Sequence, residues 1–170
     1  MWHAALTARL YACNYTCLVA DLTNEELELC ARIGSTCAAS NLRRATRGMT
    51  QLYDAALAPA GLKVTQLPLL VALSTQDLPI TALAETISLD RTTLTRNLKV
   101  LEQRGLVRTV AAPDDARVRL ASLTADGASV LSGALARWRE VQAGVAARFG
   151  EDRLRALFEE LEALSDSATA

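Results

Sequence analysis

The sequence predicts a mostly helical protein that carries one small β-hairpin. Three observations support this. Half of the residues are apolar (51%) and only 4% are aromatic, a composition rich in Ala, Leu and Val that favours helix packing over sheet sandwiches. Apolar residues recur at helical spacing along most of the chain, and the period changes only between Leu106 and Leu123. A length of 170 residues with 22% charged residues suits one domain that buries a core without disulfide or metal staples.

Residues 1–22 show neither caps nor clean periodicity and are read as a poorly patterned arm without an assigned function. Thr23-Asn24-Glu25-Glu26 then reads as a capping box, in which the threonine accepts from a first-turn amide and Glu26 reaches back. From Leu27 through Cys30, Ile33, Cys37, Leu42, Met49, Leu52 and Tyr53 to Leu57 the spacing is helical. Gly34 and Ser35 allow a break, and Pro59 and Gly61 close the element. Thr65 is the expected N-cap of the next helix, with Pro68 in its first turn, where a missing N–H costs nothing. After a turn over 74–79, a short helix runs from Ile80 to Ile87 with Ile80, Leu83, Ala84 and Ile87 on one face. Asp90 caps a helix over 91–104 whose apolar face is Leu94, Leu98 and Leu101, and Gly105 supplies a left-handed C-terminal cap.

Two short strands follow, 106–110 and 117–123, around a Pro/Asp turn at 111–116. The remainder is helical again. Leu131, Leu135, Trp138, Val141, Val145 and Phe149 line one stretch, and Leu154, Leu157, Phe158, Leu161 and Leu164 line a second one after Gly150.

The formal net charge of -1 hides an asymmetry. Residues 32–63 carry a net +4, residues 86–123 a net +3 and residues 124–170 a net −3. A basic middle between acidic ends serves a polyanion locally while the whole chain stays soluble.

Two short helices joined by a tight turn and followed at once by a hairpin form a winged helix-turn-helix. The outer face of the second helix carries Arg91, Thr92, Thr95, Arg96 and Lys99, with Thr93 beside them. Arginine can bond guanine bidentately, threonine offers a hydroxyl and a methyl to base edges, and lysine pairs with phosphate. An arginine on the hairpin tip can enter a narrow minor groove, where the potential is most negative. A solvated helix face is the plain alternative for these side chains, but it does not explain the adjoining hairpin.

Roughly residues 37–165 resemble the MarR-type winged-helix transcriptional regulators. The resemblance rests on Leu83-Ala84, Asp90-Arg91-Thr92-Thr93-Leu94-Thr95-Arg96, Leu101-Glu102-Gln103-Arg104-Gly105-Leu106-Val107, Pro113-Asp114-Asp115-Ala116-Arg117 and Leu123-Thr124, in that order and spacing. It implies a homodimer whose first and last helices intertwine, and a double-stranded, near-palindromic DNA operator as partner. The implied division is an arm (1–22), an N-terminal helical dimerisation segment (23–61), a DNA-binding lobe (62–123) and C-terminal dimerisation helices (124–170). In the wing the resemblance implies that Arg117 reaches the minor groove while Asp115 holds its guanidinium, with Arg119 as a further contact. Ala116 stands where many relatives carry a second arginine.

The resemblance also implies regulation through a small-molecule effector, such as an aromatic acid, with Arg43, Arg44 or Arg47 pairing the anion and Tyr53 completing a candidate pocket. Thiol oxidation is the second expectation, with Cys30 and Cys37 as candidate redox residues. Met49-Thr50-Gln51-Leu52-Tyr53 resembles a peroxide-sensing branch of the family, but the sensing position then falls near Ala39, and Val64 replaces a second tyrosine. The bland role of both cysteines is that of small buried hydrophobes.

His3, Cys13, Cys17 and Cys30 do not have zinc-finger or zinc-ribbon spacing, so neither metal nor cofactor is expected. The single histidine lies in the unpatterned arm and no glycine-rich phosphate loop occurs, so no enzyme is expected. No apolar run reaches the roughly 18 residues of a membrane span, and no signal-peptide pattern is present, so a cytoplasmic location is expected. The competing class is a winged-helix protein-interaction module without DNA binding, which would show an acidic or apolar face in place of Arg96 and its neighbours.

Overall fold

Thr23 opens the first helix as its sequence requires. Its hydroxyl accepts from the Glu26 amide at 3.3 Å, and the Glu26 carboxylate accepts from the Thr23 amide at 2.6 Å. These bonds to Thr23 hold the Glu26 carboxyl below its ordinary range. The computed structural model describes residues 22–169 other than 88 and 116. His3, Cys13 and Cys17 lie outside the described residues.

Helix α1 spans Asn24–Thr36 and α2 spans Ala38–Leu57. The break falls at Cys37, which is extended (ψ 114°), and not at Gly34 and Ser35. Asn41 Nδ2 donates to the carbonyls of Ser35 (3.1 Å) and Cys37 (2.9 Å), so the end of α1 is satisfied and the helix runs on through both small residues. The chain divides into two compact units, one ending at Ala45 and one beginning at Thr46. All elements described below belong to the second.

A 3₁₀ turn at Ala58–Ala60 ends on Gly61 at φ 68°, a left-handed conformation suited to glycine. Helix α3 covers Leu67–Leu73 with Pro68 in its first turn. Its N-cap is Gln66, not Thr65: the Gln66 side chain turns back to accept from the Lys63 amide at 3.0 Å, which tightens the loop and moves the helix start one residue on. A two-residue strand β1, Leu78–Pro79, occupies the expected turn, followed by α4, Ile80–Thr86. Helix α5 covers Arg91–Gln103, and strands β2 (Val107–Ala111) and β3 (Arg119–Leu123) form the hairpin. The sheet is antiparallel in the order β1-β3-β2, with Leu78 opposite Ala121 and Thr109 opposite Ala121 on the other side. Strand β1 had no periodic signal to announce it, and its proline is tolerable only because it sits at a sheet edge.

Leu69, Leu70, Leu83, Leu94 and Leu101 are wholly buried and join α3, α4 and α5 into one core with Ala121 of β3. Each such leucine contributes about 1.5–3 kcal/mol relative to exposure. Helix α6 spans Ala125–Phe149 and α7 spans Glu151–Thr169, with Gly150 at φ 97° between them. A second, smaller cluster joins Tyr53, Val145 and Leu154, and the Tyr53 phenol donates to Gln142 Oε1. Leu135, Trp138, Phe149, Leu157, Phe158, Leu161 and Leu164 remain exposed on α6 and α7. No helix among the described residues is long and apolar enough to cross a membrane.

Four residues tie α5, the hairpin and α6 together. Thr124 Oγ1 donates to the Gly105 carbonyl (2.7 Å) and accepts from the Gly127 amide (3.0 Å), while the Thr124 amide donates to the Leu106 carbonyl (3.1 Å). A Cβ on Gly127 would stand 2.1 Å from the Leu106 oxygen. Gly127→Ala is therefore expected to destabilise the fold by about 1–3 kcal/mol through overpacking. Gly133→Ala, at a helical site with nothing within 4 Å, should stabilise it by about 0.5–1 kcal/mol. Urea titration of both variants checks the contrast, and equal effects would contradict the close approach at Gly127.

Candidate nucleic-acid interface

Helix α5 begins because Asp90, in extended backbone, accepts from the Thr93 amide at 2.9 Å. Bonding to Thr93, by side chain and then backbone, lowers the Asp90 carboxyl below its ordinary value. Leu94, Leu98 and Leu101 turn into the core, so the helical period sends Thr92, Arg96 and Lys99 to the opposite face. Arg91, Thr92, Thr95, Arg96 and Lys99 are all exposed, and Thr93 is half-buried beside the cap. The Thr95 hydroxyl donates to the Arg91 carbonyl at 2.8 Å and keeps its acceptor capacity. The cationic groups of Arg96 and Lys99 have no hydrogen-bond or ion-pair partner among the described residues. Gln103, the last residue of the helix and two turns beyond Arg96, is exposed on the same face. The sequence reading passed over it although its helical spacing placed it there.

At its C-terminal end α5 is anchored. The Arg104 guanidinium donates to the Gly61 carbonyl at 2.5 Å, and Gly105 adopts φ 69° before β2. The Asn97 amide reaches the Thr65 carbonyl at 3.5 Å.

The wing differs in detail from what the resemblance implied. Asp115 Oδ1 accepts from the Arg117 backbone amide at 2.9 Å, and the Asp115 carbonyl accepts from the Val118 amide at the same distance. The carboxylate thus shapes the turn and does not hold the guanidinium: a bond to the amide two residues on closes a compact ring that an aspartate favours. The Arg117 side chain is exposed, with no partner for its guanidinium among the described residues. Arg119 lies lower, on the stem, where its guanidinium donates to the Thr109 carbonyl of the facing strand at 3.1 Å.

The regulatory candidates separate. Arg43 and Arg47 are exposed on α2, and Arg44 donates to the Gly34 carbonyl and to Asn41. Tyr53 is buried, committed to Gln142, and burial pushes its phenol pKa up. A cleft of about 350 Å³ in the second unit is lined by Ala55, Ala56, Pro59, Arg137, Glu140 and Val141, and not by Arg47 or Tyr53. Both described cysteines are free thiols; Cys30 is exposed and Cys37 half-exposed. Neither is the buried hydrophobe of the bland expectation: Cys30 lies on α1, which buries no residue, and Cys37, at the break after α1, is only partly covered. The Ser40 side chain and then its amide bond the Cys37 sulfur and hold its thiol below the ordinary range.

The family model described as "MarR family" matches residues 60–118. The transcriptional regulator MosR of M. tuberculosis, solved in complex with DNA, is 41% identical, with 79% of this chain and 99% of that chain covered at a TM-score of 0.69. The chain belongs to the MarR family. A probable transcriptional regulator from Pseudomonas aeruginosa is 28% identical, covering 76% of this chain and 97% of that one at a TM-score of 0.69. The PcaV regulator from Streptomyces coelicolor, solved with its natural ligand, shares the fold at 24% identity and a TM-score of 0.73, with 79% of this chain and 96% of that one covered. No curated protein sequence matches the chain. The segment matched by the MarR family model runs from the end of the 3₁₀ turn into the wing and contains all of α5.

Two expectations follow from the titratable groups. Asp90 has a depressed folded-state pKa, so its contribution to stability is present above its unfolded pKa and is lost as pH falls through the folded value. Asp90→Asn keeps an N-cap acceptor; its stability should therefore fall less between pH 5 and pH 2, by urea titration, than that of the parent chain. For Cys37, Ser40→Ala should move the pH–rate profile of iodoacetamide alkylation to higher pH, since the Ser40 hydroxyl is the largest cause of the lowered pKa. An unchanged profile would remove Ser40 from that role.

Proposed function

We propose that this MarR-family protein is a homodimeric, sequence-specific DNA-binding transcriptional regulator that acts as a repressor. The observation that carries it is the pairing of two unsatisfied basic elements on one rigid core. Arg96 and Lys99 project from a capped helix of groove-fitting size, and Arg117 projects from a hairpin tip joined to that helix's end through Gly105. MosR, which is 41% identical, was solved in complex with DNA, and this supports a DNA-binding reading. An acidic or apolar outer face, which a protein-interaction wing would present, is not what α5 displays.

In this reading α5 lies in the major groove. Arg96 reads a base edge, Thr92 and Thr95 supply hydroxyl and methyl contacts, Arg91 and Lys99 meet phosphates, and Arg117 enters the adjoining minor groove. Arg119, tied to Thr109, stiffens the stem and offers its remaining donors to phosphate. The exposed stripe of Leu157, Phe158, Leu161 and Leu164 on α7 is too apolar to stay wet and forms part of the dimer face. Dimerisation places two copies of α5 about 34 Å apart, on successive major grooves. Release from DNA is set by a small amphipathic acid, for which Arg137 in the α2/α6 cleft offers the cation. No catalytic step belongs to this function.

The test is a binding titration on the DNA flanking the protein's own coding region, against random duplex at matched salt. Arg96→Ala should cost about 1–3 kcal/mol on the specific site and relax preference at one position. Equal loss on both duplexes would make Arg96 a phosphate contact, and no salt-dependent binding by the parent chain would favour the protein-interaction module. Asp115→Ala should also weaken specific binding, although it removes a negative charge, because the turn that presents Arg117 loses its bond to the Arg117 amide. Tighter binding by that variant would reduce the wing to a diffuse electrostatic contact.

A further inference from the structure

Beyond the Asp90 cap at its start, α5 is held along one flank. Asn97 and Arg104 stand seven residues apart, about a quarter turn round the helix from Arg96, between the buried leucine face and the outer stripe. Both side chains reach the same short segment, 61–65. The Arg104 guanidinium donates to the Gly61 carbonyl at 2.5 Å, and the Asn97 amide donates to the Thr65 carbonyl at 3.5 Å. The guanidinium lies so close to Gly61 that a Cβ there would stand 2.8 Å from Nη2.

The same segment is also bonded to α2. Asp54, whose side chain is 23% exposed, accepts from the Val64 amide at 2.7 Å and from Lys63 Nζ at 3.2 Å. Between these attachments the segment is braced internally: the Gly61 amide donates to the Ala58 carbonyl at 2.8 Å, the Leu62 amide to the Leu57 carbonyl at 3.3 Å, and the buried Gln66 side chain accepts from the Lys63 amide at 3.0 Å. Leu57 and Leu62 are buried in the core that also holds Leu94, Leu98 and Leu101. A stiff strap therefore runs from the last turn of α2 to the flank of α5.

The leucine face fixes how deeply α5 sits, but apolar burial is non-directional and resists rolling about the helix axis only weakly. Hydrogen bonds on a flank resist it directly. A roll of about 10° moves a side-chain tip on a cylinder of about 6 Å radius by about 1 Å, enough to spoil a base-edge hydrogen bond that tolerates only about 2.7–3.2 Å between donor and acceptor. We propose that the strap sets the roll of α5, so that Asp54 and Arg104 are positioning residues for DNA recognition that act through Arg96. This rests on the DNA-binding reading above and adds to it the route by which α2, a helix outside the reading head, fixes how Arg96 meets the groove.

The test compares equilibrium binding of the full-length chain, at matched salt, to a duplex that the parent selects from a randomised pool and to random duplex. Asp54→Ala should weaken binding to the selected duplex about tenfold, although it removes an acid and a simple charge account predicts tighter binding. Arg104→Met should weaken the selected duplex about tenfold and random duplex less than about twofold. Asp54→Asn keeps an acceptor for the Val64 amide and Arg104→Lys keeps a donor, so each should return to within about threefold of the parent. Asp54→Ala combined with Arg104→Met should lose about tenfold, not the roughly hundredfold of independent effects. The Arg104 bond is exposed and adds little stability, so the Arg104 variants decide the matter even where urea titration shows Asp54→Ala unfolded. Equal losses on both duplexes for Arg104→Met make it a phosphate contact, parental binding in either single variant removes the role of the strap, and a hundredfold loss in the pair makes the two residues independent; each overturns the proposal. A parent chain that selects no duplex overturns the DNA-binding reading itself.

Discussion

The geometry of the second unit turns on the side chain and amide of Thr124. Through its hydroxyl, which serves Gly105 and Gly127 at once, and its amide, which serves Leu106, one residue fixes three junctions: the end of α5, the base of the wing and the start of α6. Each junction has its own steric condition. Gly105 must turn left-handed to leave α5, and Gly127 must lack a Cβ because the Leu106 oxygen occupies that space. Hydroxyl and amide bonds of this kind are individually worth only about 1 kcal/mol. The knot therefore acts as a geometric constraint more than as a source of stability.

That constraint is what the proposed function requires of the helix and hairpin if they are to act as one reading head. Arg96 and Arg117 belong to elements that meet at Gly105, and a small rotation there would move the hairpin tip by several ångströms relative to the helix. The anchors of α5 oppose such rotation at both ends: Asp90 caps its N-terminus, and Arg104 ties its C-terminus to the Gly61 carbonyl. Within the wing, Asp115 holds the Arg117 backbone and leaves the guanidinium unbonded among the described residues. In the proposed function, a rigid backbone with a free cationic tip loses little conformational freedom on binding except in that side chain.

The elements that position this head were legible in the sequence because local chemistry dictates them. The Thr23/Glu26 box, the Asp90 cap, the glycine after α5 and the Leu94/Leu98/Leu101 face all depend on residues within a few positions of one another, and all appear as read. What escaped depends on distant partners. Strand β1 exists only because β3 offers it an edge, and two residues carry no period. Gln66 displaced Thr65 as cap through a loop closure to Lys63, and Tyr53 left its expected pocket for Gln142, 89 residues away. The role of Gly127 was likewise invisible, since nothing near it in sequence reveals that the Leu106 carbonyl lies against it. The Asp115 error was different: both acceptor and donor residue were correctly paired, but the amide outcompeted the guanidinium because its position is fixed by the turn.

Amide hydrogen exchange on Thr124→Val tests the central constraint most directly, because valine keeps the shape of threonine while removing the hydroxyl. If the knot couples the three elements, protection falls not only at Gly127 but also at Gly105, Leu106 and the paired amides of β2, with the helical amides of α3 unchanged. Loss of protection confined to the first turn of α6 would contradict the account and reduce Thr124 to an ordinary helix cap.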